Sequence, residues 1–206
     1  MKDRYSRKLG TAVPNVDLEN EVATHYELSY KKAQGAFSGG VNLYYTRVKD
    51  AIQNDPWDQN TSLNQNQNIG TFDHRGGELE LAYTQDATQI GGNYSYVDIK
   101  NTKDTGTKIV DVPKHQIFLF ARQELGAGLS IYGNMKLRKG AYENKMDGTY
   151  VINPTFTTFD VKVSYEPFEA LCAEIGVKNL TDELVRYDMA YPMAGREFFA
   201  SLEYRF

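Results

Sequence analysis

Apolar residues recur at every second position along much of this chain. The alternation runs through Tyr26-Glu27-Leu28-Ser29-Tyr30, Val41-Asn42-Leu43-Tyr44-Tyr45 and Leu79-Glu80-Leu81-Ala82-Tyr83. It returns in 159–165 and 171–177, and is cleanest in the terminal Phe198-Phe199-Ala200-Ser201-Leu202-Glu203-Tyr204-Arg205-Phe206. A period of two means strands with one apolar face. Fainter strands are read at 90–97, 114–122 and 129–138, which brings the set to nine. Ile117-Phe118-Leu119-Phe120 is apolar on both faces, so its phase stays open. No segment carries a helical apolar stripe, and the pattern predicts an all-β antiparallel meander with sequential neighbours paired.

The connections alternate in length. Tight turns are expected at 32–36, 85–87, 124–126 and 166–168, and long polar connections at about 50–65, 98–112, 138–152 and 179–196. Trimmed turns at one sheet edge and long loops at the other are the habit of outer-membrane barrels. The charged residues Glu27, Glu78, Glu80, Lys162, Glu174, Lys178, Glu203 and Arg205 occupy the phase opposite the apolar one. Tyr26, Tyr30, Tyr45, Tyr83, Tyr165, Tyr204 and Phe206 sit on the apolar phase near strand ends, where interfacial girdles place aromatics. In the last hairpin, Leu171, Ala173, Ile175 and Val177 are expected to share one lipid-meeting face with Phe198, Ala200, Leu202 and Tyr204. A soluble β-sandwich or lipocalin-like binding module would also set charges outward and stays open on the pattern alone. A barrel piece would require detergent or lipid, whereas a module would stay monomeric in buffer.

Composition narrows the classes. Net charge is −4, too acidic for a nucleic-acid binder working through basic patches. Aromatics reach 13 % while mean hydropathy is only −0.55, as alternating apolar and polar positions would give. The longest apolar run, Ile117–Ala121, is far short of the roughly 20 residues of a transmembrane helix. The lone Cys172, expected on the charged face, makes no internal disulfide, and no Cys/His cluster has metal-site spacing. No nucleophile elbow, Ser/His/Asp spacing or HExxH appears, so no catalytic residue, resident cofactor or enzymatic activity is expected.

Three blocks then carry a resemblance. The C-terminal one is Val177-Lys178-Asn179-Leu180-Thr181-Asp182-Glu183, then Tyr191-Pro192-Met193-Ala194-Gly195-Arg196, then Leu202-Glu203-Tyr204-Arg205-Phe206. The others are Asn15-Val16-Asp17-Leu18-Glu19-Asn20-Glu21 with Tyr26-Glu27-Leu28, and Arg75-Gly76-Gly77-Glu78-Leu79-Glu80. In this order they resemble the TonB-dependent outer-membrane receptors. Thr181, Ala194, Val16 and Asn20 depart from that family's usual residues. The resemblance implies that 1–206 is the C-terminal portion of a transmembrane barrel, about nine or ten strands of roughly 22. The plug domain and TonB box would lie outside it, and the portion alone would not transport. It further implies the bacterial outer membrane, with lipid, the barrel-assembly machinery and the TonB complex (through plug and box) as partners. The expected cargo is a scarce nutrient, foremost an iron–siderophore, with haem, cobalamin or another metal complex as alternatives.

Single residues are weighed against plainer roles. Trp57, His74, Tyr142, Tyr187 and Tyr191 are candidate ligand contacts in the long loops, where ordinary loop packing is the competing account. Of the three histidines, His74 has the best case, beside Asp73 and Arg75, against the role of a polar wall residue; His25 and His115 have less. Phe198, Leu202, Tyr204 and Phe206 resemble the terminal signal read during barrel assembly.

Overall fold

The computed structural model describes residues 12–56, 63–103, 106–144, 149–188 and 191–206. Its strands are β1 Ala12–Val13, β2 Val22–Gln34, β3 Phe37–Pro56, β4 Asn64–Gln85, β5 Thr88–Asn101, β6 His115–Gly126 and β7 Leu129–Lys139. They continue with β8 Tyr142–Asn144, β9 Tyr150–Ile152, β10 Phe156–Phe168, β11 Leu171–Lys178, β12 Arg186–Asp188, β13 Tyr191–Pro192 and β14 Glu197–Tyr204. There is no helix among the described residues.

One sheet holds β14-β11-β10-β7-β6-β5-β4-β3-β2, neighbours in chain order as the meander requires. The expectation of an all-antiparallel chain needs one correction. Two residues of β1 run parallel to β4, Ala12 against Asn64 and Val13 against Gln65, and Val110 makes a parallel bridge to Tyr142. A long connection can lay a residue or two beside a strand in either direction, because no tight turn fixes its sense.

The registers settle which residues share a face. Leu119 lies opposite Gly92 and Met135, and Ile117 opposite Tyr94 and Leu137. Phe159, Val161 and Val163 continue the row against Met135, Gly133 and Ile131. Val177, Ile175, Ala173 and Leu171 then meet Phe198, Ala200, Leu202 and Tyr204. Phe118 and Phe120, ambiguous in sequence, fall on the charged phase, where Phe120 stacks on Tyr132 at 6.3 Å. That phase carries Lys136–Asp160 at 3.1 Å and Lys162–Glu174 at 2.6 Å. Cys172 is on it as expected, its Sγ 3.6 Å from Glu166 Oε1.

Two compact units divide the chain. The first is Met1–Glu27, Tyr44–Arg75 and Asp98–Lys108; the second is Leu28–Leu43, Gly76–Val97 and Ile109–Phe206. In the first, Leu18, Ala51 and Phe72 are buried, and the Asn101 amide donates to the Ile69 carbonyl at 3.0 Å. In the second, the tight turns form a stitched edge. The carbonyls of Ala36, Ala87, Gly128 and Ala170 accept, each at 2.8 Å, from the amides of Thr84, Glu124, Glu166 and Arg205 on the following hairpin.

Two turns fall later than the sequence reading. The β6–β7 turn is Ala127-Gly128 rather than 124–126, and the β10–β11 turn is Glu169-Ala170 rather than 166–168. Ala127 and Gly128 have φ of 50° and 76°, the paired positive values of a hairpin turn whose twist suits its strands. Gly128 is required there, since a Cβ would stand 2.0 Å from the Glu166 carbonyl oxygen. Pro167 ends nothing because the strand absorbs it in a register shift between Tyr165 and Phe168. The long connections are also shorter than read: β3 runs on to Pro56 and β5 to Asn101, while the hairpins β8–β9 and β12–β13 occupy the other two.

Apolar burial is very sparse. The buried apolar residues among those described are Leu18, Ala51, Phe72, Ala141, Phe156 and Val185, while Leu28, Leu43, Leu81, Ile175, Phe198 and Leu202 are all exposed on one phase. A soluble β-sandwich would bury that phase between two sheets. The single sheet leaves it for an apolar solvent.

Candidate functional site

At the loop edge of the second unit, the ends of β7 and β10 meet the two short hairpins. Ala141, Phe156 and Val185 form a small buried core. The Phe156 ring meets the Tyr187 ring edge-on at 5.4 Å, and the Arg138 guanidinium stands 4.8 Å above the same tyrosine. Arg138 also donates from Nη2 to the Asp111 carbonyl. Asn153 joins two candidates: its backbone amide donates to the Ala141 carbonyl at 2.8 Å, beside Tyr142, and its side-chain amide donates to the Tyr187 carbonyl at 3.1 Å. The sequence-predicted Tyr142 and Tyr187 therefore lie in one neighbourhood. Among the described residues, the buried atoms Arg138 Nε, Arg186 Nε and Asn153 Oδ1 have no hydrogen-bond partner. Cationic donors and an aromatic face suit an anionic, ring-bearing ligand. Arg138, Asn153 and Arg186 were missed in the sequence; Arg138 ends a fainter strand, and nothing local marks it.

In the first unit His74 is half-buried beside Asp73, and burial pushes its ring pKa down against the pull of Asp73 and Glu21. Tyr191 pairs with Asp188 in the β12–β13 hairpin. Trp57 lies outside the described residues. His25 bonds Thr46 and Glu27 on the charged phase at 2.7 and 3.1 Å. His115 is on the apolar phase instead, held to the Tyr94 hydroxyl at 2.8 Å. Phe198, Leu202 and Tyr204 share the outward row of β14, and the exposed Phe206 follows its end. No three His, Cys, Asp or Glu side chains among the described residues converge as metal ligands.

The strongest electrostatic feature of the first unit is Asp73. It is 6 % exposed and accepts from Arg47 Nε at 2.8 Å and Nη2 at 2.9 Å, and from the Tyr45 hydroxyl at 3.0 Å. Its partner Arg47 lies two residues past the girdle aromatic Tyr45 on β3, which sets Asp73 beyond the apolar band. The Arg47 bonds hold the Asp73 carboxyl down to about 2, against the opposing effect of burial. A carboxyl that titrates lower when folded stabilises the fold above its unfolded value and ceases to as pH falls through its folded one. Unfolding by urea in detergent should therefore show a loss of stability from about pH 4 to about pH 2. Asp73→Asn should flatten that part of the profile; an unchanged slope would sever the link to this group.

Three comparisons bear on this geometry. The family model described as TonB dependent receptor-like, beta-barrel matches residues 3–180. No curated protein matches the chain. Among solved structures, the chain is similar to the FrpB iron transporter from Neisseria meningitidis, with 17 % identity, TM-score 0.76, and coverage of 95 % of this chain and 32 % of that one. It is similar to the siderophore receptor PirA from Acinetobacter baumannii, with 17 % identity, TM-score 0.78 and coverage of 95 % and 33 %. The copper transporter OprC is similar too, at 16 % identity, TM-score 0.78 and coverage of 92 % and 32 %. The chain thus spans about a third of the length of these structures.

Proposed function

Because this chain belongs to the TonB-dependent receptor β-barrels of the outer membrane, we propose that it forms part of the wall and mouth of a receptor importing an iron–siderophore. The apolar phase meets lipid, the charged phase lines the lumen, and the tight turns face the periplasm. The observation that carries the ligand reading is the stack of Arg138 on Tyr187, braced by Phe156 and Asn153 at the loop edge. A guanidinium held over an aromatic ring offers charge and a flat face together, which an anionic ferric chelate with ring donors would use. Tyr142 and His74 are further contacts in this reading. Uptake would be energised through the TonB complex, and the wall would be inserted by the assembly machinery reading Phe198, Leu202, Tyr204 and Phe206. Import of an intact chelate requires no covalent step, and the family and the similar structures are receptors and transporters rather than enzymes.

The test is binding of iron-55-labelled catecholate, hydroxamate and carboxylate siderophores to cells that display the receptor containing this chain and lack their own. One class should bind, and Tyr187→Ala or Arg138→Gln should weaken it about tenfold, the loss of roughly 1.4 kcal/mol. Binding of haem, cobalamin or a copper complex with no siderophore bound would replace the ligand while leaving the family standing. Unaltered affinity in both variants would remove the Arg138–Tyr187 stack from the site.

A further inference from the structure

Lipid accounts for only two of the four apolar residues Ile117-Phe118-Leu119-Phe120. Ile117 and Leu119 meet it, whereas Phe118 and Phe120 lie half-buried on the charged phase, against Lys136 and Asn134. A barrel lining is ordinarily polar, and a ring left there forgoes the gain of burial in lipid. The two rings are 6.0 Å apart, and Phe120 is 6.3 Å from Tyr132, so the three form one strip of aromatic contacts. Phe120 is seated over Gly91, where a Cβ would stand 2.8 Å from its Cε1. Phe199 of β14 is seated in the same way over Gly176, where a Cβ would stand 2.6 Å from its Cζ. Covering a glycine explains Phe120 and Phe199. It does not explain Phe118, whose cross-strand partners are Asn93 and Lys136.

The strip continues the loop-edge site downward. Arg138 pairs with Gln116 of β6 and with Phe156 of β10. On the same phase the next rows pair Lys136 with Phe118, Asn134 with Phe120, and Tyr132 with Arg122. Cations and rings therefore alternate between Gln116 and Arg122, a run of about 20 Å at the rise of a strand. Neighbours one row apart on the diagonal are within reach of long and aromatic side chains. Two carboxylates face the run: Asp160 at 3.1 Å from Lys136, and Glu124 at 3.9 Å from Arg122. Three cations, Arg138 included, against these two leave a formal charge of +1. The wall thus repeats the pairing of positive charge and flat face that Arg138 and Tyr187 make at the mouth.

We propose that Phe118, Phe120 and Tyr132, with Lys136 and Arg122 between them, form a transfer strip that holds a ring-bearing anionic chelate on its way from the mouth toward the turn edge. The inference rests on the siderophore reading of the mouth. Its test uses an iron-55-labelled ferric tris-catecholate on cells that display the receptor containing this chain and lack their own. Binding is measured on cells poisoned with a protonophore, and uptake on energised cells. Phe118→Ala combined with Phe120→Ala should bind the chelate as wild type does and import it at least about fivefold more slowly, from the loss of two aromatic contacts. Phe118→Tyr with Phe120→Tyr should restore the rate. Phe199→Ala, which uncovers a glycine away from the strip, should import at the wild-type rate. Heat-modifiable migration on gels confirms that each variant is folded, and Phe118→Ala alone, which leaves Gly91 covered, carries the test if the pair is not. Unchanged uptake in the alanine variants, equal slowing in Phe199→Ala, or a parallel loss of binding would each overturn the strip. Vancomycin entry in the alanine pair would overturn it as well, assigning the rings to packing against the plug. Wild-type binding of a ring-free ferric trihydroxamate and of no catecholate would overturn the strip and leave siderophore uptake standing. Binding of no ferric chelate at all would remove both.

Discussion

Leu119→Arg should lower the stability of the membrane-inserted chain by ~2–4 kcal/mol, the cost of a cation on the lipid face near the bilayer midplane. Leu119 sits well inside β6, is 48 % exposed, and lies between Gly92 of β5 and Met135 of β7 on the apolar phase. Neither neighbour offers a counter-charge, and the small Gly92 leaves the new guanidinium facing hydrocarbon. Leu202→Arg, two residues from the end of β14, should cost less because the side chain can reach the interface. Ser201→Arg should cost least, since Ser201 faces the lumen opposite Glu174. Reversible urea unfolding in lipid vesicles ranks the three. A silent Leu119→Arg beside a Ser201→Arg that prevents assembly would show the faces to be exchanged.

That ranking was only partly legible in the sequence. The alternation in 171–177 and 198–204 assigned both faces of the last hairpin, because polar and apolar residues there separate cleanly by parity. In β6 it could not, because Ile117-Phe118-Leu119-Phe120 is apolar on both sides. Cross-strand partners decide it: Leu119 meets Gly92 and Met135, while Phe118 and Phe120 lie against Lys136 and Asn134. Turn positions drifted for a related reason. Composition marks where turns are allowed, but the register and positive φ values at Ala127 and Gly128 choose among the allowed sites. The loop-edge site was half visible. Tyr142 and Tyr187 stand out as loop aromatics, whereas Arg138 and Asn153 acquire their place only when β8–β9 and β12–β13 fold over the strand ends. The Arg47–Asp73 pair was invisible, being made by residues 26 apart that look like ordinary wall charges.

Asn179→Ala should destabilise the folded chain by about 2–4 kcal/mol, through lost hydrogen bonds around a buried amide and strain at an unfavourable φ. Asn179 is 6 % exposed, with φ of 49°, a left-handed conformation that Asn tolerates better than other residues bearing a Cβ. Its side chain closes a ring with one residue: the amide donates to the Glu183 carbonyl at 2.8 Å, and Oδ1 accepts from the Glu183 amide at 2.9 Å. Its backbone amide donates to Asp160 Oδ1 at 2.9 Å, and its carbonyl accepts from the Asp182 amide at 2.9 Å. Asp182 Oδ1 then accepts from the Arg196 amide at 2.7 Å, next to Gly195. The Asn-Leu-Thr-Asp block and the Gly-Arg pair of the C-terminal resemblance are thus the two halves of one hydrogen-bonded knot, joining the exit of β11 to the entry of β14. Asn179→Gly separates the contributions, since it relieves the φ strain while losing the same side-chain bonds. It should recover about 1 kcal/mol of the Ala penalty. Asn179→Asp keeps the acceptor for the Glu183 amide but turns a carboxylate oxygen toward the Glu183 carbonyl in a buried site, so at neutral pH it should destabilise at least as much as Asn179→Gly. If Asn179→Ala and Asn179→Gly unfold at the wild-type urea concentration, the knot is ornamental and the last hairpin is held by β11–β14 pairing alone.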